Sequence, residues 1–458
     1  MANKATVIGL GISGEGAALF LKRRGWDVRL TESGESRELK NRAGELSKEG
    51  IAIELGVHTR DFIKGSGLVI KSPGVTNEAM PVVWAKELGI PVIGDIELGF
   101  RYCPAKIVAV TGTNGKSTTT TLIGEILKRG GRDAIVCGNI GESFCGKLSE
   151  LKKESIAVIE VSSFQLQDIE SFRPYVSVVL NITQNHLDRH ADFDEYINAK
   201  LRILENQKDG DWAILNADDD NLKDLHKRIT PGALYFGSGK CRKAAYPEGG
   251  DIVINTSGTP RRIINTDEIG IRGDHNLRNC LAACLVGDIF KIGDEDMAAA
   301  LRDFKGLEHR FEPVDKIRGV WFVNDSKATT VDAASFALRS VKNKAVLIAG
   351  GKDKGSDFTV IRGLVREKAR SLVLIGQAAR KIREQLSGAA PISEAKDMED
   401  AVSKGLDLAV KGDTVLLSPM CASFDMFRNF EERGRLFKQA VRGLKDRLES
   451  APRAQCSR

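Results

Sequence analysis

The run Thr111-Gly112-Thr113-Asn114-Gly115-Lys116-Ser117-Thr118 follows the apolar stretch Lys106 to Val110 and precedes a helical pattern from Thr119 to Lys128. A glycine-bearing loop between strand and helix lets main-chain amides surround phosphate oxygens, with the lysine on their outer edge and a hydroxyl on Mg²⁺. Val110 stands where the standard G-x-x-x-x-G-K-[ST] spacing wants its first glycine, so a chance Gly-Lys-Ser turn is the bland alternative. Glu160 follows the strand-like Ala157-Val158-Ile159, where a carboxylate beside a phosphate loop would hold Mg²⁺. Position alone equally fits an exposed strand-end acid. His186 lies in Asn181-Ile182-Thr183-Gln184-Asn185-His186-Leu187-Asp188-Arg189, just past another strand-like run. Lys200, in a helical pattern, reads by itself as a solvated lysine.

Two further groups of residues lie after apolar runs. Gly9-Leu10-Gly11-Ile12-Ser13-Gly14 matches G-x-G-x-x-G, and Glu32 ends the next strand-like run, where a ribose-binding acid would sit. The motif fits a nucleotide diphosphate on a helix N-terminus, or merely a tight turn packing helix on strand. Ser72-Pro73-Gly74 ends a later run and would face the same crevice. Near the C-terminus, Asn324 to Thr329, Gly350 to Gly355 and Ser418 to Ser423 each follow a run of strand type. Three polar clusters beyond the carboxyl ends of parallel strands mark a site where open α/β sheets place ligands.

These residues need a frame, and the alternation of short apolar runs with helix-length segments supplies one of βα type with mostly parallel sheets. Strand-like runs include Ala5 to Ile8, Val28 to Leu30, Leu68 to Ile70, Val176 to Leu180, Val320 to Val323, Ala345 to Ile348, Leu372 to Ile375 and Thr414 to Leu417. They separate into three blocks, residues 1–94, 95–305 and 306–458, with a hairpin-like stretch from about Ser238 to Gly273 as a small β appendage on the second. The 458 residues are 42% hydrophobic and 28% charged, which excludes a collagen-like or mainly disordered chain. No apolar run approaches the roughly 18 residues of a membrane-spanning helix. The start Met1-Ala2-Asn3-Lys4 lacks a leader pattern, so a cytoplasmic address without membrane insertion is expected. Lys and Arg total 68 against 62 Asp and Glu, too small a surplus, with no basic block, to indicate nucleic acid. Eight cysteines are scattered without a CxxC pair, as buried reduced thiols would be.

Gly112 to Ser117, Glu160 with Ser162-Ser163-Phe164-Gln165-Leu166, and His309-Arg310-Phe311-Glu312 together resemble the Mur ligase family. Asn324 to Thr329, Ser423-Phe424-Asp425, Asn429-Phe430-Glu431 and Arg433-Gly434 resemble the branch that adds D-glutamate to UDP-N-acetylmuramoyl-L-alanine. The shortened phosphate loop is that family's own form, and the motifs run in order from Gly9 to about Ala440.

The resemblance implies three α/β domains: a Rossmann-like N-terminal domain for the uridine diphosphate, a central P-loop ATPase-type domain, and a Rossmann-like C-terminal domain for the amino acid. It implies substrate contacts at Ile12, Ser13, Ser33, Gly74, Asn139 and His186. ATP would lie on Gly112, Thr113, Asn114, Gly115, Lys116, Ser117 and Thr118, with Asn276 and Asn279 near the adenine and Arg310 and Asp325 completing the contacts. Ser117 and Glu160 would hold one Mg²⁺, His186 and an N-carboxylated Lys200 a second; Lys116, Glu160, His186 and Lys200 would be catalytic. Thr329, Lys354, Ser423 and the Phe430 backbone would form the D-glutamate pocket. The chain departs from relatives at Asn185, where an acid is frequent, and near Ser33-Gly34, where some carry an arginine.

The implied enzyme is a monomeric, ADP-forming amide ligase of peptidoglycan synthesis that works through an acyl phosphate. The rival within the same chemistry is a Mur or folylpolyglutamate-type ligase for another amino acid. A nicotinamide oxidoreductase would explain the first glycine motif but not the phosphate loop. A nucleotide-switched binding module would leave Lys200 and the third-block clusters without a role.

Overall fold

Runs such as Ile107-Val108-Ala109-Val110 and Ala345-Val346-Leu347-Ile348 are buried along their whole length, because parallel strands covered by helices on both faces have no wet side. The computed structural model describes residues 3–183, 192–227, 229–239, 243–353 and 355–450. The chain divides into two compact units, Met1–Lys305 and Gly306–Arg458.

The first unit holds two sheets. Strands β1 (Lys4–Ile8), β2 (Asp27–Glu32), β3 (Ala52–Leu55), β4 (Leu68–Lys71) and β5 (Val92–Gly94) form an all-parallel sheet in the order β3-β2-β1-β4-β5. The second sheet contains β6 (Lys106–Thr111), β7 (Ala134–Gly138), β8 (Ile156–Glu160), β9 (Val176–Val179), β10 (Trp212–Asn216), β11 (Gly232–Phe236), β12 (Ala244–Glu248), β13 (Asp251–Asn255) and β14 (Arg261–Asn265). Its order is β14-β13-β12-β11-β10-β9-β6-β8-β7. The expected appendage is thus a continuation of the sheet edge: β12 pairs parallel with β11, and β13 pairs antiparallel with both β12 and β14. One apolar core joins the two sheets, with Val7, Phe20 and Leu30 from one and Ile107, Phe144 and Ile159 from the other.

The second unit carries β15 (Glu312–Ile317), β16 (Val320–Asn324), β17 (Ala345–Gly350), β18 (Ala369–Ile375), β19 (Ile392–Glu394) and β20 (Thr414–Leu417), in the order β15-β16-β20-β17-β18-β19. All pairs except β15–β16 are parallel. Every strand-like run singled out in the sequence forms a strand. Strands β3, β5, β7, β10, β11, β15 and β19 were not read there. Cys137, Cys145, Cys280, Cys284 and Cys421 are buried free thiols, with burial pushing Cys137, Cys280 and Cys421 up to about 12. Among the described residues no helix is long and apolar enough to cross a membrane.

Candidate active site

Strand β6 delivers its loop at the middle of the second sheet, between β8 and β9, and the helix Lys116–Arg129 starts immediately after it. Gly115 caps that helix at φ 84°, a left-handed conformation, and a Cβ there would come within 2.4 Å of Asn279 Oδ1. Glycine is therefore required twice over, by conformation and by the approach of Asn279. The opposite wall is Asn181, just past β9. Asn114 N donates to Asn181 Oδ1 at 2.9 Å, Asn181 Nδ2 donates to Asn114 O at 3.0 Å, and Thr113 N donates to Asn181 O at 2.9 Å.

Five predicted residues meet around this loop. Ser117 Oγ donates to Glu160 Oε2 at 2.5 Å, and Asn139 Nδ2 donates to the other carboxylate oxygen at 3.0 Å. Lys116 Nζ donates to the carbonyls of Gly112 and Thr113, both at 3.0 Å. Lys200, read in the sequence as a solvated lysine but for the resemblance, is only 2% exposed and donates to Gly112 O at 2.9 Å. Burial, then the neighbouring Lys116 ammonium, hold its amine well below the ordinary lysine range, against the pull of Glu160. Its Nζ lies 4.5 Å from the ring centre of Tyr196, whose hydroxyl is 3.2 Å from Thr113 Oγ1. Tyr196 was missed in the sequence, although its place one turn before Lys200 on the helix Phe193–Leu201 was readable.

Ser117 and Glu160 offer a hydroxyl and a carboxylate, the hard oxygen donors that a Mg²⁺ accepts alongside water and phosphate. An unmodified Lys200 offers only nitrogen; carboxylation would turn it into an oxygen donor of opposite charge. No group of three or more His, Cys, Asp or Glu suited to a metal occurs among the described residues. His186 and Asn185 lie outside the described residues. Thr118 sits in the first turn of the helix after the loop. Asn276 and Asn279 open the helix Asp274–Ile289, joined by a hydrogen bond from Asn279 Nδ2 to Asn276 Oδ1 at 3.2 Å.

At the carboxyl edge of the first sheet, Ile12 and Ser13 follow β1, Ser33 follows β2 and Gly74 follows β4, so all four share that edge. Ile12 is 62% exposed. Glu32 does not simply project toward a ribose: its carboxylate accepts Leu10 N at 2.8 Å and Gly34 N at 2.7 Å, clamping the glycine turn to the next loop. Buried Asp95, at the end of β5, accepts Gln165 Nε2 at 3.0 Å. Burial pushes its carboxyl up, against hydrogen bonding from Ser13 and Gln165.

In the second unit, the ends of β16 and β20 carry a separate cluster. Asp325 is 9% exposed, accepts Phe311 N at 3.1 Å and Ser418 Oγ at 2.9 Å, and is pushed up to about 7 by burial, with Arg310 pulling the other way. His309 and Phe311 flank Arg310 at φ 64° and 44°, left-handed values that non-glycine residues hold at a cost and that concentrate at functional sites. Arg433 is fully buried and, among the described residues, has no carboxylate in hydrogen-bonding range: it donates to Ser326 Oγ, Ser326 O and Cys421 O at 3.0, 2.7 and 3.0 Å. Ser326 Oγ in turn donates to Phe430 O at 2.7 Å. Ser423 is buried beyond β20 and Thr329 exposed beyond β16, so Thr329, Ser423 and Phe430 gather on one sheet edge. Lys354 lies outside the described residues.

Three family models match in order: "Mur ligase MurD-like, N-terminal domain" over residues 3–94, "Mur ligase middle domain" over 110–287, and "Mur ligase, glutamate ligase domain" over 309–421. The chain is 40% identical over 442 residues to the UDP-N-acetylmuramoylalanine–D-glutamate ligase of Koribacter versatilis, covering 96% of this chain and 97% of that one. It is 43% identical over 445 residues to the ligase of the same name from Pelotomaculum thermopropionicum, covering 96% and 98%. Among solved structures, the UDP-N-acetylmuramate-alanine ligase of Thermotoga maritima aligns with TM-score 0.60 at 20% identity, over 96% of this chain and 100% of that one. The pseudomurein peptide ligase type C of Methanothermus fervidus aligns with TM-score 0.57 at 20% identity, over 97% and 100%. Likeness at that identity is one of fold.

Proposed function

The chain belongs to the Mur ligase family, and on that premise we propose that it joins D-glutamate to UDP-N-acetylmuramoyl-L-alanine at the expense of ATP, in peptidoglycan synthesis. The observation that carries the reading is the convergence of Lys116, Ser117, Glu160 and Lys200 on one loop, in a chain alike from end to end to ligases of that name. As such an enzyme it works in the cytoplasm, as a monomer, and supports cell-wall assembly, cell shape and division.

A carboxylate is a poor electrophile, so the L-alanyl carboxylate must first be activated. Its oxygen attacks the γ-phosphorus of ATP, the bond to the β-phosphate oxygen breaks, and ADP leaves an acyl phosphate. The D-glutamate amine then attacks the acyl carbon, the carbon–oxygen bond to phosphate breaks, and the amine proton leaves with the phosphate as HPO₄²⁻. The protein's share is positioning and charge neutralisation. Lys116 exchanges the carbonyls of Gly112 and Thr113 for the outer phosphate oxygens. Asn139, bonded to Glu160, orients the muramoyl end, a task the resemblance also gives to His186. Ile12, Ser13, Ser33 and Gly74 hold the uridine diphosphate, while Asn276 and Asn279 contact the adenine nucleotide.

Ser117 with Glu160, and a carboxylated Lys200 with His186, would hold two Mg²⁺, which when bound would offset charge on the transferring phosphoryl group. The downward shift of the Lys200 amine favours its neutral, nucleophilic form, the one that adds CO₂ to become a carbamate. Thr329, Lys354, Ser423 and the Phe430 backbone take the D-glutamate, and buried Arg433 fixes that edge through Ser326.

Phosphate release from Mg·ATP and UDP-N-acetylmuramoyl-L-alanine tests the reading, with D-glutamate, L-glutamate, L-lysine, meso-diaminopimelate or no amino acid supplied in parallel. Release with D-glutamate alone is the expected result. Release with another amino acid would keep the ligase and overturn the pocket; silence throughout would overturn the ligase.

A further inference from the structure

Lys71 is the last residue of β4 and only 4% exposed. Its ammonium donates to two partners from different parts of the first unit: the Asp168 carboxylate at 2.9 Å and Asn77 Oδ1 at 3.0 Å. The Ser72-Pro73-Gly74 turn lies between Lys71 and Asn77, so the one ammonium braces both ends of that turn. Ser72 Oγ donates to Gly9 O at 3.1 Å, which joins the turn to the first glycine loop.

Asp168 is the C-cap of the short helix Ser163–Gln167. That helix begins just beyond Glu160, through a capping box in which Ser162 Oγ accepts Gln165 N and the Gln165 side chain accepts Ser162 N. One turn before Asp168, Gln165 reaches Asp95, and Asp168 O accepts Gly94 N at 3.3 Å. The segments that follow β4 and β5 at the first sheet's carboxyl edge are therefore both tied to the one helix whose entry carries Glu160.

Stability alone is a weak reason for an ion pair here. The Asp168 side chain is 10% and the Lys71 side chain 5% exposed. Removing two charges from water costs about as much as their attraction returns, and a packed apolar pair of similar volume is often as stable. What an apolar pair lacks is direction. The substrate of the proposed reaction is long, held at the first sheet by its diphosphate and reacting at the second through its carboxylate, so the spacing of the two edges enters the rate.

We propose that Lys71 is a positioning residue for the nucleotide–sugar substrate: through Asp168 it fixes the Ser72–Gly74 turn at a set distance from Glu160. The inference rests on the proposed function for its substrate, though not for the strut itself. Loss of the strut lets the turn shift while leaving the phosphate loop intact.

The test compares the full-length chain with Lys71→Met and with the double variant Lys71→Met/Asp168→Leu, which leaves no lone buried acid. Binding of UDP is followed by calorimetry, alongside kcat, the KM of each substrate and the melting temperature. The double variant should melt within about 4 °C of the parent, yet bind UDP and the UDP-linked substrate about tenfold more weakly, since misplacement by an ångström costs up to ~100-fold. The KM values for ATP and D-glutamate should stay within about twofold of the parent's on the same ground. Recovery of UDP affinity together with melting temperature would reduce the pair to packing and overturn the proposal. So would a double variant that does not fold, or a single variant with unchanged UDP affinity. If the parent binds UDP but releases no phosphate, the ligase reading fails while the UDP arm still decides the strut.

Discussion

Lys116 and Lys200 donate to the same acceptor, the carbonyl of Gly112, at 3.0 and 2.9 Å. Burial first, and then repulsion from the second ammonium on the same carbonyl, hold the Lys200 amine well below the ordinary lysine range, against the pull of Glu160. Such a downward shift favours the neutral amine, the form that can add CO₂. Converted to a carbamate, it would present oxygen to a metal and a negative charge to Lys116.

Lys200→Ala should accordingly lower the rate of phosphate release by about 100-fold or more, the usual scale for loss of a preorganised electrostatic group. Short carboxylic acids such as acetate, diffusing into the space vacated, should restore part of it. Absence of rescue across a concentration series, with the variant folded by circular dichroism, would count against carboxylation.

The Ser117–Glu160 contact predicts a graded metal phenotype. Glu160→Gln keeps the size of the side chain and its bond to Asn139 but loses the charge, and should lower kcat by about 100-fold while raising the Mg²⁺ needed for half-maximal rate. Ser117→Ala removes one neutral donor that water can replace, so its Mg²⁺ requirement should rise by less. Mg²⁺ titrations of phosphate release check the order; equal effects would show that the two residues do not share an ion.

Much of this site was legible because its signals are local. A loop between a strand and a helix and an acid at a strand end are read from neighbours in sequence, and the loop with Lys116 and Ser117 and the strand end with Glu160 are where that reading put them. Tyr196, Asn181 and Lys71 were not found, because their partners Thr113, Asn114 and Asp168 lie far away along the chain and only the sheet order brings them together. Arg433 was seen only as part of a resemblance. Two of its acceptors are main-chain carbonyls, which no side-chain pattern announces. The edge strands β12 to β14 read as an appendage for the same reason: a hairpin pattern is local, whereas pairing to β11 is not.

Asp325 gives a pH dependence with a definite sign. Its carboxyl is raised from 3.8 to about 7 by burial, so between those values the folded chain holds a proton that the unfolded chain has released. Stability must then fall as pH rises through that window, and the contribution is fully lost above it. Asp325→Asn removes the titration while its amide can still face Phe311 N and Ser418 Oγ. Urea denaturation should show the variant gaining on the parent by a few kcal/mol, on the order of 3–4, between pH 4.5 and pH 8. An offset between the two proteins that does not change with pH would refute the assignment.

Ser326 links a buried cation to a pocket wall, since its hydroxyl accepts from Arg433 Nε and donates to the carbonyl of Phe430. Removing the hydroxyl leaves that Arg433 donor and the Phe430 carbonyl without this shared partner. The guanidinium keeps its bonds to Ser326 O and Cys421 O, so the fold should survive. Loss of one buried hydrogen-bond relay costs about 1–3 kcal/mol. That loss should fall on the start of the helix Phe430–Ser450, where the proposed amino-acid pocket has its backbone contact. Ser326→Ala should therefore raise the KM for D-glutamate about tenfold or more, with the KM values for ATP and the UDP-linked substrate unchanged because their residues are not touched by this bond. Equal rises in all three would mean that the variant loosens the second unit as a whole, and the link from Arg433 to the pocket would have no specific part in recognition.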